Sequence, residues 1–236
     1  MYERSPLAVV GLVALLVVGC SKETTSSRNI KTPGIAALID VYADTATTAT
    51  VHVELKVGGS DSNAYVILEN GDELIATAGD EMKTLTSRDE GVYEANFSGV
   101  GADTPFTVVL NRPDDTTAAD NSGSLPAPFD LAKPTAGLSR KDDDLDVAWA
   151  PSGTDDGMDF EFDGPCIFPY SKSPSDLGSF TVSKGSLESK GGDKPETCDI
   201  SVAAQRSRSG TADPAFDPES WFHLHQRRAT KFSSNP

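Results

Sequence analysis

The dominant regularity in the chain is a hydrophobic period of two. From Thr50 to Val57, residues Val51, Val53, Leu55 and Val57 fall on one side and His52, Glu54 and Lys56 on the other, the alternation of a strand with one buried and one wetted face. Ile35 to Tyr42 reads as the strand before it. Gly58 to Asn63 reads as a turn ahead of a strand over Ala64 to Leu68, and Asn70-Gly71 is a hairpin signal leading into Glu73 to Ala78. Met82 to Thr86, Val92 to Phe97 and Phe106 to Asn111 bring the count to about seven short strands, at a spacing that suggests a β-sandwich.

The alternation lapses after Arg112, where Pro, Asp, Thr, Ser and Gly predominate, and residues 113–128 are expected to form an interdomain linker. It resumes at Phe129 to Leu131 and is clear in Leu145 to Ala150, with Leu145, Val147 and Trp149 on one face. Met158 to Phe162 follows, with Phe160 and Phe162 inward, then Ser179 to Ser183, Cys198 to Arg206 and Trp221 to Phe232. Along Cys198 to Arg206, Cys198, Ile200, Val202 and Ala204 share a face. Helical periodicity is scarce throughout. The expected fold is all-β, two tandem β-sandwich domains over residues 34–112 and 129–236, with no close repeat between them.

The N-terminus carries a different pattern. After Met1 to Pro6, the twelve residues Leu7 to Val18 are an unbroken apolar run, too short for a membrane core that needs about 20 residues. Gly19-Cys20 and the polar stretch Ser21 to Ser27 follow. The order Val17-Val18-Gly19-Cys20 resembles the lipobox of bacterial lipoproteins, which implies a signal peptide over 1–19 and lipid attachment, including palmitate, at Cys20. The n-region departs from the usual pattern, since Glu3 offsets Arg4. By analogy with enteric sorting, Ser21 after the cysteine points to the outer membrane. Residues 20–33 are nearly devoid of apolar side chains and are expected to be a flexible tether. The membrane is then one partner, reached through an N-terminal lipid, in the bacterial cell envelope.

Two further resemblances accompany the strand pattern. Asp89-Glu90-Gly91-Val92-Tyr93 resembles the D-x-G-x-Y stretch of immunoglobulin-like domains, which implies a tyrosine hydroxyl bonded back to nearby backbone. Ala95 stands where such domains often carry a cysteine, so an inter-sheet disulfide is not implied. Leu145 to Trp149 resembles the tryptophan-bearing early strand of fibronectin type III and related sandwiches.

Composition narrows the function classes. With 36 acidic and 20 basic residues the formal net charge is −16, which excludes a strongly basic nucleic-acid binder. Setting Cys20 aside leaves Cys166 and Cys198, an even pair that an oxidising compartment would join as a staple; a nucleophilic Cys166 working with a histidine is the alternative, without a surrounding motif. No G-x-S-x-G, H-E-x-x-H, Walker loop, G-x-G-x-x-G or paired C-x-x-C occurs.

Two groups of residues remain as candidate chemistry. If Phe222 and Leu224 face the core, Trp221, His223 and His225 line up on one exposed strand face, either incidentally, as an aromatic ligand platform, or as two-thirds of a metal site. His52 belongs to the other expected sandwich and no third ligand is identifiable, so no metal centre and no cofactor are expected. Acidic runs at Asp114-Asp115 with Asp120, at Asp142-Asp143-Asp144 and at Asp155-Asp156 lack the spacing of a calcium loop and read as solvated charge. The expected function is non-catalytic: a lipoprotein displaying binding or structural domains to a protein or envelope-polymer partner. A carbohydrate- or calcium-binding module is the alternative, and a small hydrolase a more distant one.

Overall fold

The computed structural model describes residues 22–191 and 196–236. The expected signal peptide 1–19 and the expected lipidation site Cys20 lie outside them. The first half contains β1 (Glu23–Ser26), β2 (Ile35–Ala43), β3 (Thr48–Val57), β4 (Ala64–Ile67), β5 (Glu73–Ala78), β6 (Glu81–Thr84), β7 (Thr86–Asp89), β8 (Val92–Ser98), β9 (Pro105–Asn111) and β10 (Ala118–Ser124). The second half contains β11 (Asp130–Leu131), β12 (Leu138–Ser139), β13 (Leu145–Ala150), β14 (Gly157–Asp163), β15 (Tyr170–Lys172), β16 (Ser179–Val182), β17 (Cys198–Ser209) and β18 (Trp221–Asn235). The protein is all-β. Among the described residues, the only helical segments are two single 3₁₀ turns, at Ser27–Asn29 and Thr32–Gly34, and no helix is long and apolar enough to cross a membrane.

The strands make one large sheet and two small covering sheets. The large sheet runs β1-β4-β3-β2-β18-β17-β14-β15, with β8 and β7 continuing from β3 and β12 beside the end of β18. A four-stranded sheet, β10-β9-β5-β6, covers one part of it, and a three-stranded sheet, β11-β13-β16, covers the other. Each pairing encloses its own core. Ile39, Val51, Val53, Leu55, Phe97, Phe106 and Leu110 lie in the first, and Val147, Trp149, Phe160, Phe162, Ile200 and Val202 in the second. Alternating apolar positions produce this directly, because one face of every strand is removed from water.

Strand β18 belongs to both halves, which departs from the expected division at 129. Its Phe222 and Leu224 lie in the first core and its Phe232 in the second. One edge of β18 pairs in parallel with β2 over Trp221–Gln226, while the other pairs antiparallel with β17 from His223 to Ser234. Residues 221–226 thus complete the first sandwich, although a sequence reading places them in the second. The inward positions between the two apolar stretches are polar. Gln226 is buried there and donates to the Pro126 carbonyl at 3.1 Å, and buried Arg206 of β17 donates to the Ala127 carbonyl at 2.8 Å. The connecting chain therefore crosses the seam between the two covering sheets with its carbonyls satisfied from below.

Two segments expected to be loose are built in. Within 113–128, Ala118–Ser124 is β10, an edge strand paired with β9 around a bulge between Ala118 and Asn121. Its composition hides it: the buried Asn121 side chain donates to the Val108 carbonyl at 2.8 Å, and a Cβ on Gly123 would run into Leu224 and Phe222. Within 20–33, β1 pairs in parallel with β4, and Ser27 and Thr32 are buried. Arg112 holds this segment, donating to the Ser27 carbonyl at 2.7 Å, the Ile30 carbonyl at 3.0 Å and Thr32 Oγ1 at 3.1 Å while paired to Asp72 and Asp115 at 2.9 and 3.0 Å. Lys22 also pairs with Asp89. A polar segment need not be free when backbone pairing and a buried guanidinium meet its hydrogen-bonding demands.

The tyrosine of the D-x-G-x-Y stretch is buried, and its hydroxyl accepts from the Leu68 amide at 2.8 Å and donates to the Val66 carbonyl at 3.3 Å. Those partners sit at the end of β4, so Tyr93 pins a neighbouring strand rather than its own corner. Gly91 enters β8 at φ +68°, where a Cβ would meet that of Tyr65 at 2.6 Å. In the other half, Cys166 and Cys198 form a disulfide that ties the chain after β14 to the start of β17, which removes Cys166 as a nucleophile.

Candidate functional site

The outward face of the large sheet gathers all three histidines of the chain. In β18 the even positions Phe222 and Leu224 are buried, which turns Trp221, His223 and His225 outward as the alternation requires. Parallel pairing with β2 sets His223 opposite Asp40 and His225 opposite Tyr42. Antiparallel pairing of β2 with β3 sets His52 opposite Asp40 from the other side. His52 thus lies on the same face as the other two, contrary to its expected placement in a separate domain.

Asp40 is the centre of the arrangement. It interrupts the apolar run of β2, and its side chain is 15% exposed. Its Oδ1 lies 3.1 Å from His225 Nε2 and 3.9 Å from His223 Nδ1, and its Oδ2 accepts from the Trp221 indole N–H at 3.2 Å. The second ring nitrogen of His225, Nδ1, is 3.0 Å from Ser207 Oγ on β17. Both imidazoles are braced by aromatic rings: His223 stacks on Trp221 at 5.7 Å and 14°, and His225 on Tyr42 at 5.2 Å and 18°. Arg227 lies over the Tyr42 ring at 4.0 Å while holding Asp44 with two hydrogen bonds of 2.7 and 3.0 Å.

His223 is part-exposed, whereas His225 is buried. Partial burial holds His223 below its ordinary pKa, with Asp40 opposing this and His225 adding to it. His52 is committed elsewhere, with Nδ1 at 3.0 Å from Glu94 and Nε2 at 3.5 Å from Glu54. The hydrogen bond from His52, reinforced by Arg88 against the cost of burial, lowers the Glu94 pKa. An open depression continues this face across β14 and β17, lined by Asp44, Asp159, Glu161, Gln205 and Arg227.

Trp221, His223 and His225 therefore do share one face, and Asp40 is the residue that a sequence reading misses. A single carboxylate inside an apolar strand, on the side of the sheet opposite its buried neighbours, is the one signal it leaves. At least one residue of each acidic run is held by the protein's own donors. Asp115 accepts from Arg112 and from the Thr32 amide at 3.0 Å, Asp144 accepts from the Lys184 amide at 2.8 Å, and Asp156 takes two bonds from Arg208 at 2.7 and 3.0 Å.

No family model matches the chain, and no curated protein is similar to it in sequence. Among solved structures, the adhesin InvE of Yersinia pseudotuberculosis is similar over 86% of this chain and 59% of its own, at 13% identity and a TM-score of 0.24. The I9-I11 tandem of titin is similar over 82% of this chain and 65% of its own, at 8% identity and a TM-score of 0.26. A DUF3823 family protein of Parabacteroides merdae is similar over 83% of this chain and 99% of its own, at 8% identity and a TM-score of 0.23. The chain thus spans less than two thirds of the adhesin and titin structures. Likeness at this level assigns no activity.

Proposed function

We propose that the chain is a non-catalytic, lipid-anchored envelope protein that displays a binding surface on two fused β-sandwiches. The observation that carries this reading is strand β18, which contributes to both cores and, paired with β17, presents one continuous outward face. The lipobox-like Val17 to Cys20 supports an anchor at Cys20, with the outer membrane as its place. The docking of β1 on β4 adds a consequence: only residue 21 separates the anchor from Lys22 and its partner Asp89. Lipid attachment would hold the first sandwich against the bilayer surface without a spacer. A protein or envelope polymer is the partner class, met by the face around Trp221 and Tyr42. Sugar or calcium binding draws less support, because Trp221 is already stacked on His223 and bonded to Asp40, and much of the acidic charge is engaged by the protein's own donors.

The test compares the full-length chain with Cys20→Ala in cells, by membrane fractionation, mass spectrometry of the N-terminal peptide and protease accessibility. We expect diacylglycerol and an acyl chain on Cys20 and loss of membrane association in Cys20→Ala. Retention of Cys20→Ala in the membrane, or an unmodified cysteine, would overturn the anchoring. Cleavage of the intact-cell form from outside would support an external partner, and protection a periplasmic one.

A further inference from the structure

We infer that Asp40, His223 and His225 form a site for a divalent transition-metal ion of the zinc class, bound by one carboxylate and two imidazoles with a fourth position open. The inference is independent of how the chain is anchored. The donor atoms of the three residues lie within 4.8 Å of one another. A tetrahedral ion with bonds of about 2.0–2.1 Å needs its donors roughly 3.4 Å apart. The distances from Asp40 Oδ1, 3.1 Å to His225 and 3.9 Å to His223, fall on either side of that. Closing the set requires a small movement of His223, whose side chain is 41% exposed and has room to make it.

The surrounding contacts are those a metal site uses to aim its ligands. Ser207 takes up Nδ1 of His225, which points Nε2 at the ion and lets Nδ1–H donate outward when the metal occupies the other nitrogen. The Trp221 indole holds Asp40 Oδ2, leaving Oδ1 as a single-oxygen ligand. Stacking on Trp221 and Tyr42 orients the two rings. A hydrogen-bond network alone accounts for His225, but not for His223, whose ring makes no side-chain hydrogen bond among the described residues yet turns Nδ1 toward the same carboxylate oxygen. An ion between the three donors satisfies both. Two imidazoles and one carboxylate suit zinc, cobalt, nickel or copper, whereas calcium and magnesium take oxygen shells.

The experiment titrates ZnCl2 into the full chain, purified in detergent without a histidine tag and stripped with EDTA, by calorimetry and thermal melting, and follows CoCl2 by visible absorption. We expect one ion per chain, a micromolar or tighter dissociation constant, a rise in melting temperature at saturation and a tetrahedral cobalt band. His223→Ala should weaken zinc binding by at least about tenfold and abolish the band, while melting, without metal, like the stripped wild type. His52→Ala should leave zinc binding unchanged. Asp40→Asn is the second ligand variant, should His223→Ala melt abnormally. Zinc binding equal in wild type, His223→Ala and Asp40→Asn, or no binding above the EDTA-treated baseline, would overturn the site, and so would loss of binding on His52→Ala alone.

Discussion

Buried charge in this molecule is concentrated on arginines that stitch one segment to another. Arg206 is fully buried, stacks over Phe129 at 5.0 Å, and donates to the carbonyls of Ala127 and Pro151 and to Asp176. Asp176 accepts in addition from the Trp149 indole at 2.6 Å and from the amide and hydroxyl of Thr154. Burial alone would raise the pKa of Asp176. The hydrogen bonds from Thr154 and Trp149, with the Arg206 charge, outweigh it and hold the carboxyl below its ordinary value. A carboxyl depressed in the folded state adds stability that is complete above its unfolded pKa and is lost as pH falls through the lower folded one. Asp176→Asn should therefore cost about 3–5 kcal/mol at neutral pH, the cost of stranding a buried guanidinium. The gap in melting temperature between variant and wild type should narrow as pH drops below about 4. A gap that stays constant with pH would contradict the assignment.

At the scale of elements, the disulfide closes a segment of the second sandwich that is otherwise held by β15 on β14, β16 on β13 and the Asp176 hydrogen bonds. Among the described residues between Cys166 and Cys198 the chain carries the short strands β15 and β16, and 32 positions separate the two cysteines. In the chain-entropy picture, opening a loop of that size removes roughly 3–4 kcal/mol. Cys166→Ser/Cys198→Ser, or the reduced wild type, should melt several degrees lower, with the loss read by Trp149, whose ring packs at 5.0 Å from Phe160 and 6.2 Å from Phe180. An unchanged melting curve after verified reduction would argue that the loop is held by its own contacts. This pairing was legible in the sequence because setting Cys20 aside as the expected lipidation site leaves two cysteines over. Strand β10 was not, since Ala118 to Ser124 offers no apolar alternation: its place comes from Asn121 reaching Val108 and from Gly123 lying against Phe222 and Leu224. The polar β1 was hidden for the same reason, as its place comes from pairing with β4, some forty residues further along, and from Arg112 holding Ser27, Ile30 and Thr32 just behind it.

For the molecule as a whole, the shared strand couples two cores that would otherwise be separate folding units. Displacing β18 exposes Phe222 and Leu224 at one end and Phe232 at the other, which couples the opening of the two halves. We expect one calorimetric transition rather than two. The two tryptophans provide the check, because Trp221 sits on the outward face over the first core and Trp149 is buried in the second. In Trp149→Phe and in Trp221→Phe, the melting curve read through the remaining tryptophan should coincide with that same variant's far-ultraviolet circular dichroism curve. Separate midpoints would show that the halves unfold independently despite their common strand.

What the sequence determined by itself was local. A period of two fixes which residues of a strand share a face, and it placed Trp221, His223 and His225 together, put Cys198, Ile200 and Val202 on the buried side, and made the fold all-β, because alternation within a few residues requires no knowledge of the partner strand. The tertiary structure alone decided which strands lie side by side. Asp40 and His225 are 185 positions apart, and β18 could have paired within the second half without changing a single residue's alternation. The register between β2 and β18 depends on how both strands bury their apolar faces against the same covering sheet. That long-range packing, which no local pattern encodes, brings a carboxylate to two imidazoles and makes two sandwiches into one.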